Sequence, residues 1–161
     1  MTRTRATDEH RQCPRSRRTA SRGAGVGAVA GERGGHRYSN EAFNRGDVEA
    51  ALSYLHPSIE WRDLQHPPDT PEVVRGAAAI RELWEGWLDA GLGLRAEVVE
   101  FIDAGRAVVV VTKWHAQGTA SGIEVDQTSA EVYEFEEGLV VRATLGYRSR
   151  DDALKAVGLE E

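Results

Sequence analysis

The 161-residue chain has a single cysteine, a single methionine and no long apolar run. One cysteine, Cys13, excludes an internal disulfide framework and a zinc site built from cysteines. The longest purely apolar run, residues 107–111, is as long as a strand and far short of the roughly 18 residues that a membrane span needs. We therefore expect a protein without a membrane partner, and the cytoplasm is the expected compartment.

Charge is divided unevenly along the chain, whose formal net charge is −6. Residues 1–37 contain nine arginines and three acidic residues, whereas residues 38–161 contain 23 acidic and 11 basic residues. An acidic body repels phosphate backbones, so nucleic acid is not an expected partner.

Residues 1–37 are rich in arginine, glycine, alanine and serine and contain hardly a large apolar side chain. Such a segment buries too little apolar surface to offset chain entropy, so we predict a disordered tail. A basic arm for nucleic acid and a twin-arginine export signal at Arg17-Arg18 are weaker hypotheses. A mis-called start or a frameshift is another, because residues 31–36 can be coded so that a one-base shift reads as a helical segment. The nucleotide sequence of the gene would decide it.

From residue 38 onward, hydrophobic periodicity predicts helices and then strands. A helix ends at Gly46, and Asp47 is a suitable N-cap for a second helix that Pro57 stops. The further predictions are a strand over 59–64, a loop over 65–75, a helix over 77–90, four strands over 94–102, 106–117, 125–135 and 139–147, and a last helix capped by Ser149.

This order of elements predicts an α+β fold, in which a curved, largely antiparallel mixed sheet wraps around two to three helices as a conical barrel. The open end of such a cone is a natural site for a small molecule. Apolar residues alternate on both faces of the strands, as in the run 108–111. One face closes on the helices, so we expect a homodimer to cover the other.

Five short motifs occur in order between residues 38 and 160. They are EAFNRGD at 41–47, HPSIEW at 56–61, GAAAIR at 76–81, EEGLV at 136–140 and DDALKAVGL at 151–159. Together they resemble the SnoaL-like group of the nuclear transport factor 2-like superfamily. The resemblance implies the conical α+β barrel over residues 38–161, often dimeric through the outer sheet face. Because the superfamily includes isomerases, polyketide cyclases, dehydratases, epoxide hydrolases and accessory domains without chemistry, it does not name an activity.

Carboxylates are the best candidates for catalysis, since a desolvated carboxyl group has a raised pKa that suits proton transfer. Glu131 shares a strand face with Ser129 and Tyr133, a mixture typical of a pocket wall, although an outer solvated face is an equal alternative. The resemblance places the catalytic aspartate of ketosteroid isomerases and SnoaL-type cyclases at Glu131. Asp63 is the second candidate. It follows Trp61, which stands where the isomerases have their general base, and this departure counts against isomerase chemistry.

Aromatic and histidine side chains are the candidates for binding an apolar ligand, with core packing as the alternative for most of them. They are Trp61, Trp84, Trp114, His115, Tyr133 and Tyr147. The histidines lie on different elements, without the spacing of a metal site, and no glycine loop for phosphate occurs. No metal and no cofactor are expected.

The leading prediction is thus a SnoaL-like small-molecule domain. If it is an enzyme, its chemistry is a cofactor-free acid/base reaction of the isomerase, cyclase, dehydratase or epoxide hydrolase type. Its substrate would be an apolar, ring-bearing or polyketide-like molecule. The alternative is a non-catalytic ligand-binding or dimerising accessory domain.

Overall fold

The computed structural model describes residues 35–118 and 121–159, which form helices on both faces of one sheet. The predictions for the tail, as far as they concern residues 1–34, lie outside the described residues. The helices are α1 (35–44), α2 (Val48–Leu52), α3 (Ala77–Asp89) and α4 (Arg150–Ala156). The strands are β1 (Leu55–Asp63), β2 (Val73–Arg75), β3 (Arg95–Asp103), β4 (Ala107–Gln117), β5 (Glu124–Glu136) and β6 (Leu139–Tyr147).

The six strands form one open sheet in the order β2-β1-β6-β5-β4-β3. Strands β1 and β6 run parallel, and every other neighbouring pair is antiparallel. The register shifts within the β1–β6, β3–β4 and β5–β6 pairs, and such bulges bend a sheet. The predicted α+β class with a mixed, largely antiparallel sheet is confirmed.

The main core lies between the concave face of the sheet and helices α1 to α3. Ile59 of β1 and Ile80 of α3 are fully buried there. The Trp84 ring makes edge contacts with Phe43 of α1 and with Trp61 of β1. Apolar residues that recur every 3.6 residues in the helices and every second residue in the strands thus pack together in one apolar layer.

Helix α4 covers part of the opposite face of the sheet. Ala153 and Leu154 form a second buried cluster with Val109 and Val132. Ser149 caps the helix as predicted, because its hydroxyl accepts a hydrogen bond from the backbone N–H of Asp152 at 3.0 Å. Part of the cover that the sequence analysis assigned to a dimer partner therefore comes from the chain itself.

Several predicted boundaries were wrong. Helix α2 has only five residues, and β1 begins at Leu55 and runs through Pro57. Proline is tolerated there because the β1–β6 register is irregular between Leu55 and Glu60, so no ladder hydrogen bond needs its missing N–H. Strand β2 lies within the predicted loop over 65–75. Helix α1 already includes residues 35–37, which the sequence analysis had placed in the tail.

Replacing Leu154 by alanine tests whether α4 is a structural cover. Leu154 is only 6% exposed, so Leu154→Ala should lower the free energy of unfolding by about 2–5 kcal/mol. Leu88→Ala is the control, because it makes the same change at a helical leucine that is 40% exposed. It should lower the free energy of unfolding by about 1 kcal/mol or less. Urea denaturation measures both variants, and equal losses would show that α4 packs only loosely.

Candidate functional site

A pocket with aromatic walls lies between the helices and the concave face of the sheet. All four tryptophans of the chain line it. The other lining residues are His36, Ser39, Asn40, Phe43, Tyr54, Leu55, Ala96, Thr112, Tyr133 and Val140. The space open to water-sized molecules is about 50 Å³, so a ring compound can bind only if wall side chains move, since drug-sized ligands occupy roughly 300 Å³ or more.

A larger depression of about 590 Å³ lies beside β3 and the ends of β4 and β5. Its lining includes charged or ionisable side chains, among them Arg95, Glu97, His115 and Asp126. Since it is open and polar, it lacks the apolar walls that a small-molecule pocket usually has. The aromatic pocket is therefore the better candidate site.

Glu131 of β5 is a fully buried carboxylate held by three hydrogen-bond donors. Its Oε2 accepts a hydrogen bond from Thr112 Oγ1 at 2.5 Å. Its Oε1 accepts from Ser129 Oγ at 2.9 Å and from Trp114 Nε1 at 3.0 Å. The β4–β5 register pairs Thr112 with Ser129, which brings all four side chains to the concave face.

Burial raises the pKa of Glu131 above its ordinary value of 4.5, and the three hydrogen bonds oppose this effect by stabilising the ionised form. Burial also raises the pKa of the neighbouring Tyr133, and the charge of Glu131 acts in the same direction. Tyr133 therefore keeps its proton at neutral pH and can act as a hydrogen-bond donor.

The carboxylate of Glu131 lies behind the pocket wall. Thr112, Trp114 and Tyr133 line the pocket, whereas Glu131 does not. Two of these wall residues, Thr112 and Trp114, donate hydrogen bonds to the carboxylate. The hydroxyl of Thr112 is thus the short polar link between the carboxylate and the pocket.

Five of the predicted site residues fall into two groups. Trp61, Trp84, Trp114 and Tyr133 come together on the pocket wall. His115 follows Trp114 along β4 and so points to the other side of the sheet, where it contacts Asp126 at 2.7 Å and Glu97 at 3.3 Å. The grouping of His115 with the pocket is corrected accordingly.

Asp63 and Tyr147 also lie outside the pocket lining. Asp63 Oδ1 accepts a hydrogen bond from the backbone N–H of Gln65 at 2.9 Å, so it caps the turn after β1. Tyr147 packs against the apolar cluster beneath α4. Asp63 therefore does not form a carboxylate pair with Glu131, and the placement of both residues at one ligand site is corrected.

His36 is a pocket residue that the sequence analysis assigned to the tail. Its ring makes edge contacts with Tyr133 at 4.6 Å and with Phe101 at 5.5 Å between ring centroids. Burial, together with the adjacent positive charge of Arg37, lowers the pKa of His36 to about 4. The only sequence signal is spacing, because His36, Asn40 and Phe43 share one helix face. The polar composition of the preceding residues led to His36 being placed in the predicted tail.

Among residues 35–118 and 121–159, no three histidine, cysteine, aspartate or glutamate side chains gather as metal ligands would. None of the helices in the described part of the chain is long and apolar enough to span a bilayer.

The sequence profile of the SnoaL-like domain matches residues 36–143 of this chain. The chain belongs to the SnoaL-like domain family. No curated protein is significantly similar to it. The match begins at His36, which agrees with the helical position of that residue in the structure.

Solved structures share the fold of this SnoaL-like domain at low sequence identity. A Burkholderia pseudomallei nuclear transport factor 2-like protein of unknown function is 22% identical with a TM-score of 0.63, over 80% of this chain and 96% of its own. A Mycobacterium tuberculosis protein in complex with estradiol-17beta-hemisuccinate is 12% identical with a TM-score of 0.64, over 73% and 93%. A Xanthomonas campestris protein described as a candidate polyketide cyclase is 20% identical with a TM-score of 0.61, over 81% and 98%.

The stability of this SnoaL-like domain should depend on pH through Glu131. Because its pKa is raised in the folded protein, the ionised carboxylate disfavours folding. This penalty is absent below the ordinary pKa of 4.5, grows as the pH rises through it, and is complete above the folded pKa. Glu131→Gln should therefore gain stability relative to wild type as the pH rises from below 4.5 to neutral.

Urea denaturation across that pH range measures the difference in the free energy of unfolding between wild type and variant. A loss of stability that does not depend on pH leaves the slope of this difference against pH unchanged. Glu134→Gln is the matched control, because Glu134 lies on the same strand but is not fully buried, with 39% of its side chain exposed. A Glu131→Gln difference that stays constant, or that falls as the pH rises, would contradict the raised pKa.

Proposed function

We propose that this SnoaL-like domain binds a small, apolar, ring-bearing molecule in its aromatic pocket. The observation that carries the proposal is the convergence of all four tryptophans, with His36 and Tyr133, on one cavity. Aromatic walls with a few polar atoms are typical of sites for such ligands. The Mycobacterium tuberculosis protein of the same fold, in complex with a steroid ester, supports this choice of ligand class.

The chemistry that we propose is a cofactor-free proton transfer, of the isomerase or cyclase type. Thr112 Oγ1 passes its proton to Glu131 Oε2 while it accepts a proton from the ligand, and the reverse steps return a proton to another ligand atom. No net proton is gained or lost. The neutral phenol of Tyr133 is available to stabilise negative charge on a ligand oxygen. By this route, Glu131→Gln would lower turnover by roughly 10² to 10⁴.

The second candidate function is a non-catalytic ligand-binding or accessory domain. It is favoured by the separation of Asp63 from the pocket, which leaves Glu131 without a second carboxylate, and by the three donors that already satisfy Glu131. Both candidates use the same pocket. They differ in whether a bound ligand leaves it chemically changed.

The indole N–H signals of the four tryptophans report directly on binding in this pocket. We expect tetralin, an uncharged bicyclic hydrocarbon, to shift these signals in a saturable manner in ¹H–¹⁵N NMR spectra. The backbone amide of Val99, whose side chain is 60% exposed, should not move. The physical reason is that an apolar ring gains free energy by leaving water for an aromatic site.

Myo-inositol is the matched control ligand, because it is a ring of similar size that carries polar hydroxyl groups. It should leave the indole signals in place. Tetralin shifts that never saturate, or that are equal to those from myo-inositol, would contradict the proposed pocket.

We also propose that the domain is a cytoplasmic homodimer. Apolar side chains that α4 does not cover remain exposed, namely Val99 at 60%, Ile123 at 63% and Val125 at 53%. Exposed apolar surface of this kind favours association. Light scattering at micromolar concentration should give twice the chain mass of 17.7 kDa, and a mass of one chain would contradict the dimer.

A further inference from the structure

Two buried side-chain polar atoms lack a hydrogen-bond partner in the described part of the chain, and both belong to residues that line the aromatic pocket. They are Nε1 of Trp84 and Nδ1 of His36. Trp84 is only 4% exposed. A buried polar group without a partner is rare in folded proteins and costs free energy, so two of them at one cavity call for a physical explanation.

Neighbouring rings hold both side chains in place. Trp84 lies edge-on to Phe43 at 5.4 Å and to Trp61 at 5.6 Å between ring centroids. His36 is held in the same manner by Phe101 and Tyr133. By contrast, Nε1 of Trp114 on the same wall is satisfied by Glu131. Among the described residues of the pocket wall, only Trp84 and His36 have a side-chain nitrogen that is both buried and without a partner.

The chemistry of the two nitrogens defines the partner that they lack. An indole N–H can only donate, so Trp84 needs an acceptor. His36, with a pKa of about 4, is neutral at neutral pH and has one donor nitrogen and one acceptor nitrogen. An oxygen atom of a carbonyl or hydroxyl group satisfies Trp84, and either group can also pair with His36.

The charge of the pocket restricts the ligand further. No lysine, arginine, aspartate or glutamate is among the described residues that line it. Glu131 lies directly behind Thr112 and Trp114. A ligand carboxylate would lose its hydration without meeting a cation, so an uncharged oxygen group is favoured.

We infer that Trp84 Nε1 and His36 Nδ1 are the specificity-determining polar contacts of the pocket and bind the carbonyl or hydroxyl oxygen of an uncharged ring compound. This inference rests on the proposed ligand-binding function and adds to it the residues that distinguish an oxygenated ring from a hydrocarbon. It requires no catalysis, and neither atom belongs to the Glu131–Thr112 proton route.

A matched pair of probes tests the inference in the wild-type protein. 1-Tetralone and tetralin have the same bicyclic skeleton and differ by one carbonyl oxygen. At saturation with 1-tetralone, the Nε1 proton of Trp84 should shift downfield, as a proton does when it enters a hydrogen bond. Tetralin should not produce this downfield shift, and the Trp87 indole, on the same wall, should respond alike to both compounds.

His36→Phe provides a second test that keeps the ring contacts with Phe101 and Tyr133. The ratio of the 1-tetralone Kd to the tetralin Kd should rise by roughly threefold to tenfold relative to wild type, because one hydrogen bond is lost and the hydrocarbon contact is kept. Val99→Ala, which changes an exposed side chain outside the pocket lining, should leave the ratio unchanged.

The outcomes separate the two proposals. If both compounds bind but move the Trp84 proton equally, and the His36→Phe ratio equals that of wild type, the inference is overturned and the apolar pocket stands. If neither compound binds, the proposed function fails, and the inference fails with it. A downfield shift of Trp84 with 1-tetralone alone, together with a changed ratio in His36→Phe, supports the inference.

Discussion

The burial of one carboxylate organises the concave face of this SnoaL-like domain. Glu131 has no solvent contact, so its charge or its proton must be accommodated by the protein. Thr112, Ser129 and Trp114 supply three donors from two paired strands, and this fixes the side chains of the pocket wall. Truncation of Thr112 would leave Oε2 without a donor, whereas Oε1 would keep one donor if either Ser129 or Trp114 were truncated.

The aromatic pocket depends on this unit and on the helices that face it. Trp114 is oriented by its hydrogen bond to Glu131, whereas Trp84 is oriented by ring contacts alone. One wall is thus polar and satisfied, and the facing wall holds unpaired nitrogens. Helix α4, on the other face of the sheet, secures β4 and β5 from behind through Val109 and Val132. The site therefore rests on a sheet that is packed on both faces.

Sequence periodicity was sufficient for the fold class, but it left two orientations open for Glu131, the pocket face and the outer solvated face. Strand alternation put Glu131, Ser129 and Tyr133 on one face, and the turn at Glu137-Gly138, both with positive φ, fixes the register of β5 and β6. Tertiary contacts decided the rest. Asp63 accepts a hydrogen bond from a local backbone N–H, and Tyr147 packs against the apolar cluster beneath α4. His36 contacts Tyr133 in the pocket, although its neighbours in sequence are polar.

The ionisation of Glu131 tests this account most directly. A ¹³C NMR titration of its side-chain carboxyl carbon, assigned by the signal that disappears in Glu131→Gln, measures the pKa in the folded protein. The account predicts a value above the ordinary 4.5, since burial outweighs the three hydrogen bonds. A value at or below 4.5 would contradict it, because the carboxylate would then be a stably ionised structural group.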